Sequence, residues 1–204
     1  MTVQSDNLDI QENYAVFFDI CSSSLVLEHL MLTDHLKAMR NLLICMKRFL
    51  DEESRTLGFE VYKFLGDGWV LLFPKQTDGG TLVPFLEKLS CLFEAKFRKL
   101  VVPYLESSPR ITGLTFGVDV GPLMRFVMLG RKEYVGRALN VASRLQSAIK
   151  DKDEKPQYKV LFSKPAYKEL KFPANYRRIV YVRRTLRNIL GENRYDCVKL
   201  TLKV

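Results

Sequence analysis

Residues 59–73 read FEVYKFLGDGWVLLF, in which two apolar runs flank the turn sequence LGDG. A glycine on each side of an aspartate is typical of a tight connection between antiparallel strands, so the stretch predicts a β-hairpin. A helical segment and an apolar strand lie on each side of this hairpin along the chain. The resulting order, β-α-β-β-α-β, predicts an α+β domain with a ferredoxin-like core and a C-terminal extension.

The segments around the hairpin have the periodicities that this order requires. Residues 13–20, NYAVFFDI, and residues 111–121, ITGLTFGVDVG, are apolar runs of strand length. Apolar side chains recur at helical spacing in residues 36–50, before the hairpin, and in residues 89–100, after it. The two predicted helices therefore can pack on the sheet that the predicted strands form.

The composition favours a folded domain with an anionic partner. The chain has 204 residues, 47% of them hydrophobic, which is enough for one full core. We assign residues 13–204 to a single domain and residues 1–12 to a polar tail. The formal charge is +9, and residues 171–204 hold nine Lys or Arg against two Asp or Glu. No basic motif interleaved with aromatics is present, so the sequence favours a polyphosphate over nucleic acid.

The sequence also bears on compartment. No apolar run approaches the ~20 residues that a membrane helix needs, and no signal-peptide pattern is present. The four cysteines lack metal-ligand spacing and are interpreted as reduced thiols. We expect a cytoplasmic protein without membrane contact.

Two aspartates stand at predicted strand ends. Asp19 closes the apolar run in FFDICSSS, and Asp67 lies in the hairpin turn. The first strand neighbours the hairpin in a ferredoxin-like order, so the two carboxylates meet at one edge, where a pair of Mg²⁺ or Mn²⁺ ions relieves their repulsion. The small residues Cys21, Ser22 and Ser23 allow backbone N–H groups at a helix start to approach phosphate oxygens. The alternative is local, with Asp67 an ordinary turn residue and Asp19 a helix cap.

A third element is the amphipathic helix predicted from RALNVASRLQSAIK, residues 137–150. Asn140 and Arg144 are four residues apart and share its polar face. An amide can orient a ribose, and a guanidinium can stabilise charge on a phosphoryl group during transfer. A plain solvated face has the same spacing and is the alternative interpretation.

Four segments, FFDICSSS, YKFLGDGWVLLF, GLTFGVDVG and GRALNVASRL, resemble in sequence and order the motifs of the class III nucleotidyl cyclases, the family of adenylate and guanylate cyclases. The resemblance spans residues 13–150. It implies conversion of a nucleoside triphosphate to a 3′,5′-cyclic nucleotide and pyrophosphate, with two Mg²⁺ or Mn²⁺ ions per active site. It also implies a head-to-tail homodimer, because family sites form between two domains that supply different residues.

The resemblance assigns the catalytic roles residue by residue. Asp19 and Asp67 match the two metal-binding aspartates, and the carbonyl of Ile20 is a further possible ligand. Asn140 matches the asparagine that orients the ribose. Arg144 matches the arginine that stabilises the transition state.

The contacts to the base and the triphosphate depart from the family pattern. Lys63 matches the base-reading residue of adenylate cyclases. The second base-reading position falls in the compressed segment RKEYVG, where either Glu133 replaces the expected side chain or Tyr134 narrows the pocket. The lysine that holds the triphosphate has no clear counterpart, and Arg187 is the candidate, followed by Arg183 and Arg184.

The compressed segment leads to a prediction about the base. A pocket smaller than that for a purine suits a pyrimidine, and we expect UTP ahead of CTP, with cyclic UMP as product. A free-standing cyclase domain also resembles the bacterial pyrimidine cyclases of Pycsar antiphage defence. The alternatives are an adenylate cyclase that makes cyclic AMP and a catalytically inactive, nucleotide-binding module of the same fold.

Overall fold

A computed structural model describes residues 8–107, 109, 111–150, 153–172, 179–186 and 194–204. Within these residues the chain forms eight strands, five α-helices and one short 3-10 helix in a mixed α+β fold. The strands and helices are β1 (Asp9–Ile20), α1 (Ser23–Leu32), α2 (Leu36–Leu57), β2 (Glu60–Phe64), β3 (Gly68–Pro74), α3 (Gly79–Leu100), β4 (Leu114–Met128), β5 (Arg131–Val135), α4 (Arg137–Lys150), β6 (Lys159–Ser163), α5 (Lys164–Glu169), β7 (Ile179–Arg184) and β8 (Tyr195–Thr201).

The strands form one sheet in the order β2-β3-β1-β4-β6-β8-β7, and β5 pairs with the far part of β4. β1 is antiparallel to both β3 and β4, and β2 is antiparallel to β3. The order β2-β3-β1-β4 is the ferredoxin-like arrangement, so the prediction from the β-α-β-β-α-β pattern is confirmed. The C-terminal extension adds β6, parallel to β4, and the antiparallel pair β7 and β8.

The first strand begins earlier than the apolar pattern indicates. β1 starts at Asp9, where its partner on β4 is Arg125, and the Nε of Arg125 donates to Asp9 Oδ2 at 2.6 Å. This outer part of β1, residues 9–12, is exposed or half-buried, unlike the buried residues that follow it. The predicted tail of residues 1–12 therefore extends too far by residues 9–12, and residues 1–7 lie outside the described part of the chain.

The two faces of the sheet carry different helices. Alternate residues of β1, including Val16 and Phe18, pack with α1, α2 and α3 in the larger core. The residues between them, such as Ala15, face the opposite side, where Ala138 and Ala142 of α4 cover the sheet. No helix within the described residues is both long and apolar enough to cross a bilayer.

Helix α4 lies unusually close to β4. A Cβ at Gly117 would be 2.1 Å from the carbonyl oxygen of Ala142, so only glycine fits beneath the helix. One turn further on, Gln146 Nε2 donates to Thr115 Oγ1 at 2.8 Å, and both side chains are buried. Thr115 is the cross-strand partner of Asp19. The contact therefore fixes the end of α4 at the same level of the sheet as Asp19.

Candidate active site

Asp19 and Asp67 lie at one end of neighbouring strands. Asp19 is the penultimate residue of β1 and is paired with Gly68 of β3, the residue that follows Asp67. A Cβ at Gly68 would lie 2.0 Å from the carbonyl oxygen of Phe18, so glycine is required for β1 and the hairpin turn to approach this closely. The sheet edge that the sequence predicted for the two acids is thus where the structure places them.

The segment after Asp19 shapes the same corner. The carboxylate of Asp67 accepts a hydrogen bond from the hydroxyl of Ser23, the first residue of α1. Ser22, just before the helix, has a left-handed backbone with φ of 59°. The N–H of buried Cys21 donates to the carbonyl of Gly113 at 2.8 Å, so it does not face a phosphate as the sequence predicted. The amides left to bind an anion are those of the first turn of α1, from Ser22 and Ser23 onward.

The donor atoms at this corner fit a hard divalent cation. Asp19 and Asp67 offer carboxylate oxygens, Ser23 offers a hydroxyl, and Ile20 offers a main-chain carbonyl next to Asp19. The described residues contain no cluster of three or more His, Cys, Asp or Glu side chains that could enclose an ion. Mg²⁺ is commonly held by one or two carboxylates, with water and substrate phosphates in the other positions. The pair therefore fits cations that arrive with a polyphosphate.

Lys63 and Glu133 form an ion pair although they are far apart in sequence. Lys63 lies on β2, Glu133 lies on β5, and the Nζ of Lys63 donates to Glu133 Oε2 at 3.0 Å. The hairpin of β4 and β5 thus reaches across to the opposite edge of the sheet. The bond to Glu133 raises the pKa of Lys63, so the ammonium remains charged. Lys63, the residue predicted to read the base, is therefore a cationic hydrogen-bond donor that lies next to a carboxylate acceptor, Glu133.

Tyr134 does not line this ion pair. Its side chain is 7% exposed and belongs to the small core under α4, together with Ala15 and Leu72. Its hydroxyl donates to Glu60 Oε2 at 2.8 Å, and burial followed by this bond raises the pKa of Tyr134 to about 12. Of the two residues that the sequence offered as base contacts, only Glu133 stands beside Lys63.

Asn140 and Arg144 lie on the exposed face of α4. The opposite face carries the predicted apolar stripe, whose members Val141, Leu145 and Ile149 are all fully buried. Because that stripe packs on the sheet, the amide and the guanidinium point away from the strands that carry the two aspartates.

The N-terminus of α4 is tied to a buried acid that the sequence analysis missed. Asp119 of β4 is completely buried, and Nη1 of Arg137, the first residue of α4, lies 3.7 Å from its Oδ2. Burial raises the pKa of Asp119, and the neighbouring Ser163 hydroxyl and Arg137 oppose this rise. Arg137 Nη2 also lies 3.4 Å from the hydroxyl of Tyr195, to which it donates. The sequence did contain a sign of this buried acid, because Asp119 is the one charged residue in the apolar run GLTFGVDVG.

Of the three arginines that the sequence offered as the contact to the triphosphate, the structure describes two, Arg183 and Arg184. Arg187 lies outside the described residues. Arg184 is mostly buried and its Nη2 donates to Asp153 Oδ2 at 3.1 Å, while the Nε of Arg183 donates to Asp196 Oδ1 at 2.9 Å. Arg184 is thus engaged in the interior, whereas Arg183 is exposed and remains accessible to an anion.

Solved structures of cyclase domains share this fold. The guanylyl cyclase Cya2 matches with a TM-score of 0.72 and 13% identity, covering 96% of this chain and 95% of that one. The adenylyl cyclase CyaB from P. aeruginosa matches with a TM-score of 0.66 and 19% identity, covering 97% and 98%. A bacterial light-regulated adenylyl cyclase matches with a TM-score of 0.70 and 15% identity.

These matches cover most of this chain in each case. The chain spans about half, 54%, of the length of the light-regulated enzyme. No protein-family model matches the sequence, and no curated protein does. The chain therefore has the fold of the class III adenylyl and guanylyl cyclase catalytic domains, which confirms at the level of fold the resemblance seen in the sequence.

Proposed function

We propose that this protein is a nucleotidyl cyclase, which converts a nucleoside triphosphate into a 3′,5′-cyclic nucleotide and pyrophosphate. The observation that carries the proposal is the juxtaposition of Asp19 and Asp67 at one sheet edge, in a fold shared with adenylyl and guanylyl cyclase domains. Such a carboxylate pair suits hard divalent cations, Mg²⁺ or Mn²⁺, with two per site. Asn140 and Arg144, exposed on α4, supply the remaining groups that the reaction needs.

In the proposed reaction the 3′-oxygen of the substrate attacks its own α-phosphorus, and the bond from this phosphorus to the oxygen that bridges to the β-phosphate breaks. Pyrophosphate leaves, and the proton of the 3′-hydroxyl passes to solvent. A pair of divalent cations supplies the positive charge that lowers the pKa of this hydroxyl and stabilises the leaving group. Asp19 and Asp67 hold the cations, Asn140 orients the ribose, and Arg144 stabilises negative charge on the transferring phosphoryl group.

The proposed active enzyme is a head-to-tail homodimer with two equivalent sites. In each site one chain supplies Asp19 and Asp67, and its partner supplies Asn140 and Arg144 from the exposed face of α4. The exposed apolar tip of the β4–β5 hairpin supports a second copy as partner, since the consecutive residues Val127, Met128 and Leu129 are 74%, 53% and 98% exposed. Such apolar exposure on a hairpin tip is typical of a surface that is covered in the assembled protein.

For the base we propose UTP, with cyclic UMP as product. Lys63 offers a donor beside the acceptor Glu133, and uracil presents a carbonyl next to an N–H in a matching order. By the resemblance, an adenylate cyclase would have an aspartate or a threonine where this chain has Glu133. The Glu133 side chain is one methylene longer than that of an aspartate, which leaves less room for a bicyclic purine. ATP is the second candidate, because a lysine beside a polar side chain also resembles the base-reading pair of adenylate cyclases.

We further propose, on the Pycsar resemblance, that the cyclic nucleotide acts in antiphage signalling. Cells that carry the wild-type gene with its genomic neighbours should survive phage challenge better than cells that carry the Asp67→Ala variant. Equal survival of the two strains would contradict this role without bearing on the enzyme activity.

The activity is tested by incubating the purified protein and Mn²⁺ with ATP, GTP, CTP and UTP in separate reactions and identifying the products by mass spectrometry. We expect a cyclic nucleotide from the wild type, fastest from UTP, and none from Asp67→Ala. Asp51→Ala, which removes an exposed aspartate on α2, is the matched control and should behave as the wild type. Binding of nucleotide without product from any substrate would instead identify an inactive module.

A further inference from the structure

Tyr62 is an extra residue in β2. Val61 and Lys63 pair with Leu71 and Val70, which are adjacent on β3, so Tyr62 has no partner of its own in the ladder. This is a β-bulge, a feature that turns side chains away from their regular directions and occurs often beside active sites.

The bulge lets two consecutive side chains reach the same atom. In a regular strand the side chains of Tyr62 and Lys63 would point to opposite faces of the sheet. Here the Tyr62 hydroxyl donates to Glu133 Oε2 at 2.6 Å, and the Lys63 Nζ donates to that same oxygen at 3.0 Å. The carboxylate of Glu133 is therefore held from two directions by one strand.

Tyr62 is itself fixed. Its hydroxyl oxygen accepts a hydrogen bond from the main-chain N–H of Tyr134 at 3.1 Å. The two tyrosine rings pack edge to face with centroids 5.0 Å apart, a favourable arrangement for aromatic pairs. The Tyr62 hydroxyl therefore accepts a hydrogen bond from β5 and donates one to Glu133 at the same time.

These bonds leave Glu133 as an ionised acceptor with one oxygen available. The bond from Tyr62 lowers the pKa of Glu133, and the bond from Lys63 adds to the effect. Both donors use Oε2, and in the part of the chain that the structure describes no hydrogen bond to Oε1 is found. The ammonium of Lys63 has further hydrogens to donate. A donor and an acceptor are thus presented side by side.

We propose that Tyr62 is the positioning residue for base recognition, a role that rests on the proposed cyclase function: its hydroxyl holds Glu133 so that Oε1 meets a base N–H while Lys63 meets the neighbouring base acceptor. Each of the four bases carries an acceptor next to a donor on its Watson–Crick edge, but the order and the position of the two groups differ between bases. Discrimination then depends on where Glu133 stands rather than on its chemical type. Loss of the Tyr62 hydroxyl relaxes the discrimination and leaves the catalytic groups intact.

The test is Tyr62→Phe, which keeps the ring and its packing and removes only the hydroxyl. kcat/KM is measured for ATP, GTP, CTP and UTP, and affinity is measured for the corresponding non-reacting α,β-methylene analogues. We expect the ratio of kcat/KM between the best and the second-best substrate to fall about tenfold, because a hydrogen bond to a charged group is lost. kcat on the best substrate should change by less than about threefold, since no group at the reacting phosphate is altered.

Tyr134→Phe is the matched control. It removes a hydroxyl from the neighbouring tyrosine, one that bonds Glu60 and not Glu133. It should preserve the order and ratio of the four substrates. Glu133→Gln alone and combined with Tyr62→Phe should give non-additive losses, because both changes act on one contact.

A pH profile separates positioning from simple structural support. The charged and titratable groups around Glu133 are Tyr62 and Lys63 on β2 and Arg131 on β5. Because the Tyr62 bond lowers the pKa of Glu133, the acid limb of kcat/KM should move to higher pH in Tyr62→Phe and should stay in place in Tyr134→Phe.

The outcomes distinguish this inference from the proposed function. If the wild type makes no cyclic nucleotide from any substrate, the cyclase proposal fails, and the inference fails with it. If the wild type is active and Tyr62→Phe keeps both its substrate ratios and its acid limb, Tyr62 has no positioning role and only the inference is overturned.

Discussion

Gly117→Ala should push α4 off the sheet and slow the reaction. The new Cβ would lie 2.1 Å from the Ala142 carbonyl oxygen and 2.4 Å from the Gln146 nitrogen, whereas ordinary contacts begin at 3.4 Å. Both atoms belong to the helix backbone and cannot rotate away, so α4 has to retreat by about 1.3 Å. Asn140 and Arg144 move with it.

The expected size of the effect follows from this displacement. Overpacking of this kind destabilises a protein by about 1–3 kcal/mol, which lowers the Tm of a chain of this length by about 3–10 °C. A misplacement of ~1 Å at groups that orient a substrate can reduce the rate about 100-fold. Turnover should therefore fall far more than the folded fraction at assay temperature, because most of the variant is still folded.

Gly121→Ala is the matched control on the same strand and under the same helix. Its Cβ would lie 3.8 Å from the side chain of Ala138, an ordinary contact. We expect near-wild-type Tm and turnover for this variant, measured by thermal unfolding and by cyclic nucleotide formation. Wild-type turnover in Gly117→Ala, or equal damage in both variants, would refute the claim that close packing of α4 positions Asn140 and Arg144.

Other outcomes follow from the same structure. Asp19→Ala should reduce turnover by more than about 100-fold with little change in Tm, because a metal ligand at a strand end contributes little packing; a rate near wild type at saturating Mn²⁺ would exclude the two-metal mechanism. Mixed Asp67→Ala and Arg144→Ala chains, each inactive alone, should recover about a quarter of the wild-type rate after subunit exchange, since half of the dimers carry one intact site; no recovery would contradict the head-to-tail dimer. Burial alone would raise the pKa of Asp153, but Lys199 and the other neighbouring cations outweigh it, so the pKa of Asp153 is lowered overall. Asp153→Asn removes the charge that these cations pair with and should therefore destabilise the fold by about 3 kcal/mol near neutral pH. Because the folded pKa is the lower one, this difference should be constant above about pH 4 and shrink as the pH falls further, and a difference that grows on acidification would contradict the assignment.

Much of the site's framework is local in sequence and was therefore predictable. Asp67 sits in a turn whose glycines are next to it, and Asp19 ends the apolar run of its own strand. The helical period of α4 separates Val141 from Asn140 without any tertiary information. Once the ferredoxin-like order is assumed, the placement of the two aspartates at the same end of adjacent strands follows from strand neighbourhood alone.

The contacts that surround the base position were not predictable in this way. Lys63 and Glu133 are joined because the β4–β5 hairpin continues the long strand β4 and reaches across to β2. Periodicity reports which residues share a face, but it does not report which distant edge a hairpin reaches. The bulge at Tyr62 could not be predicted for the same reason, because a residue is recognised as extra only by comparison with its partner strand. The burial of Tyr134 could not be predicted either, because its polar hydroxyl is equally compatible with an exposed position.

The claim of intramolecular cyclisation is tested most directly by turnover in water enriched in oxygen-18. The attacking oxygen in the proposed reaction is the substrate's own 3′-oxygen, so water contributes no atom to either product. Mass spectrometry should find a cyclic nucleotide without oxygen-18 and an equal amount of unlabelled pyrophosphate. Incorporation of oxygen-18 into the nucleotide, or release of nucleoside diphosphate and labelled phosphate, would identify a hydrolase and contradict the account.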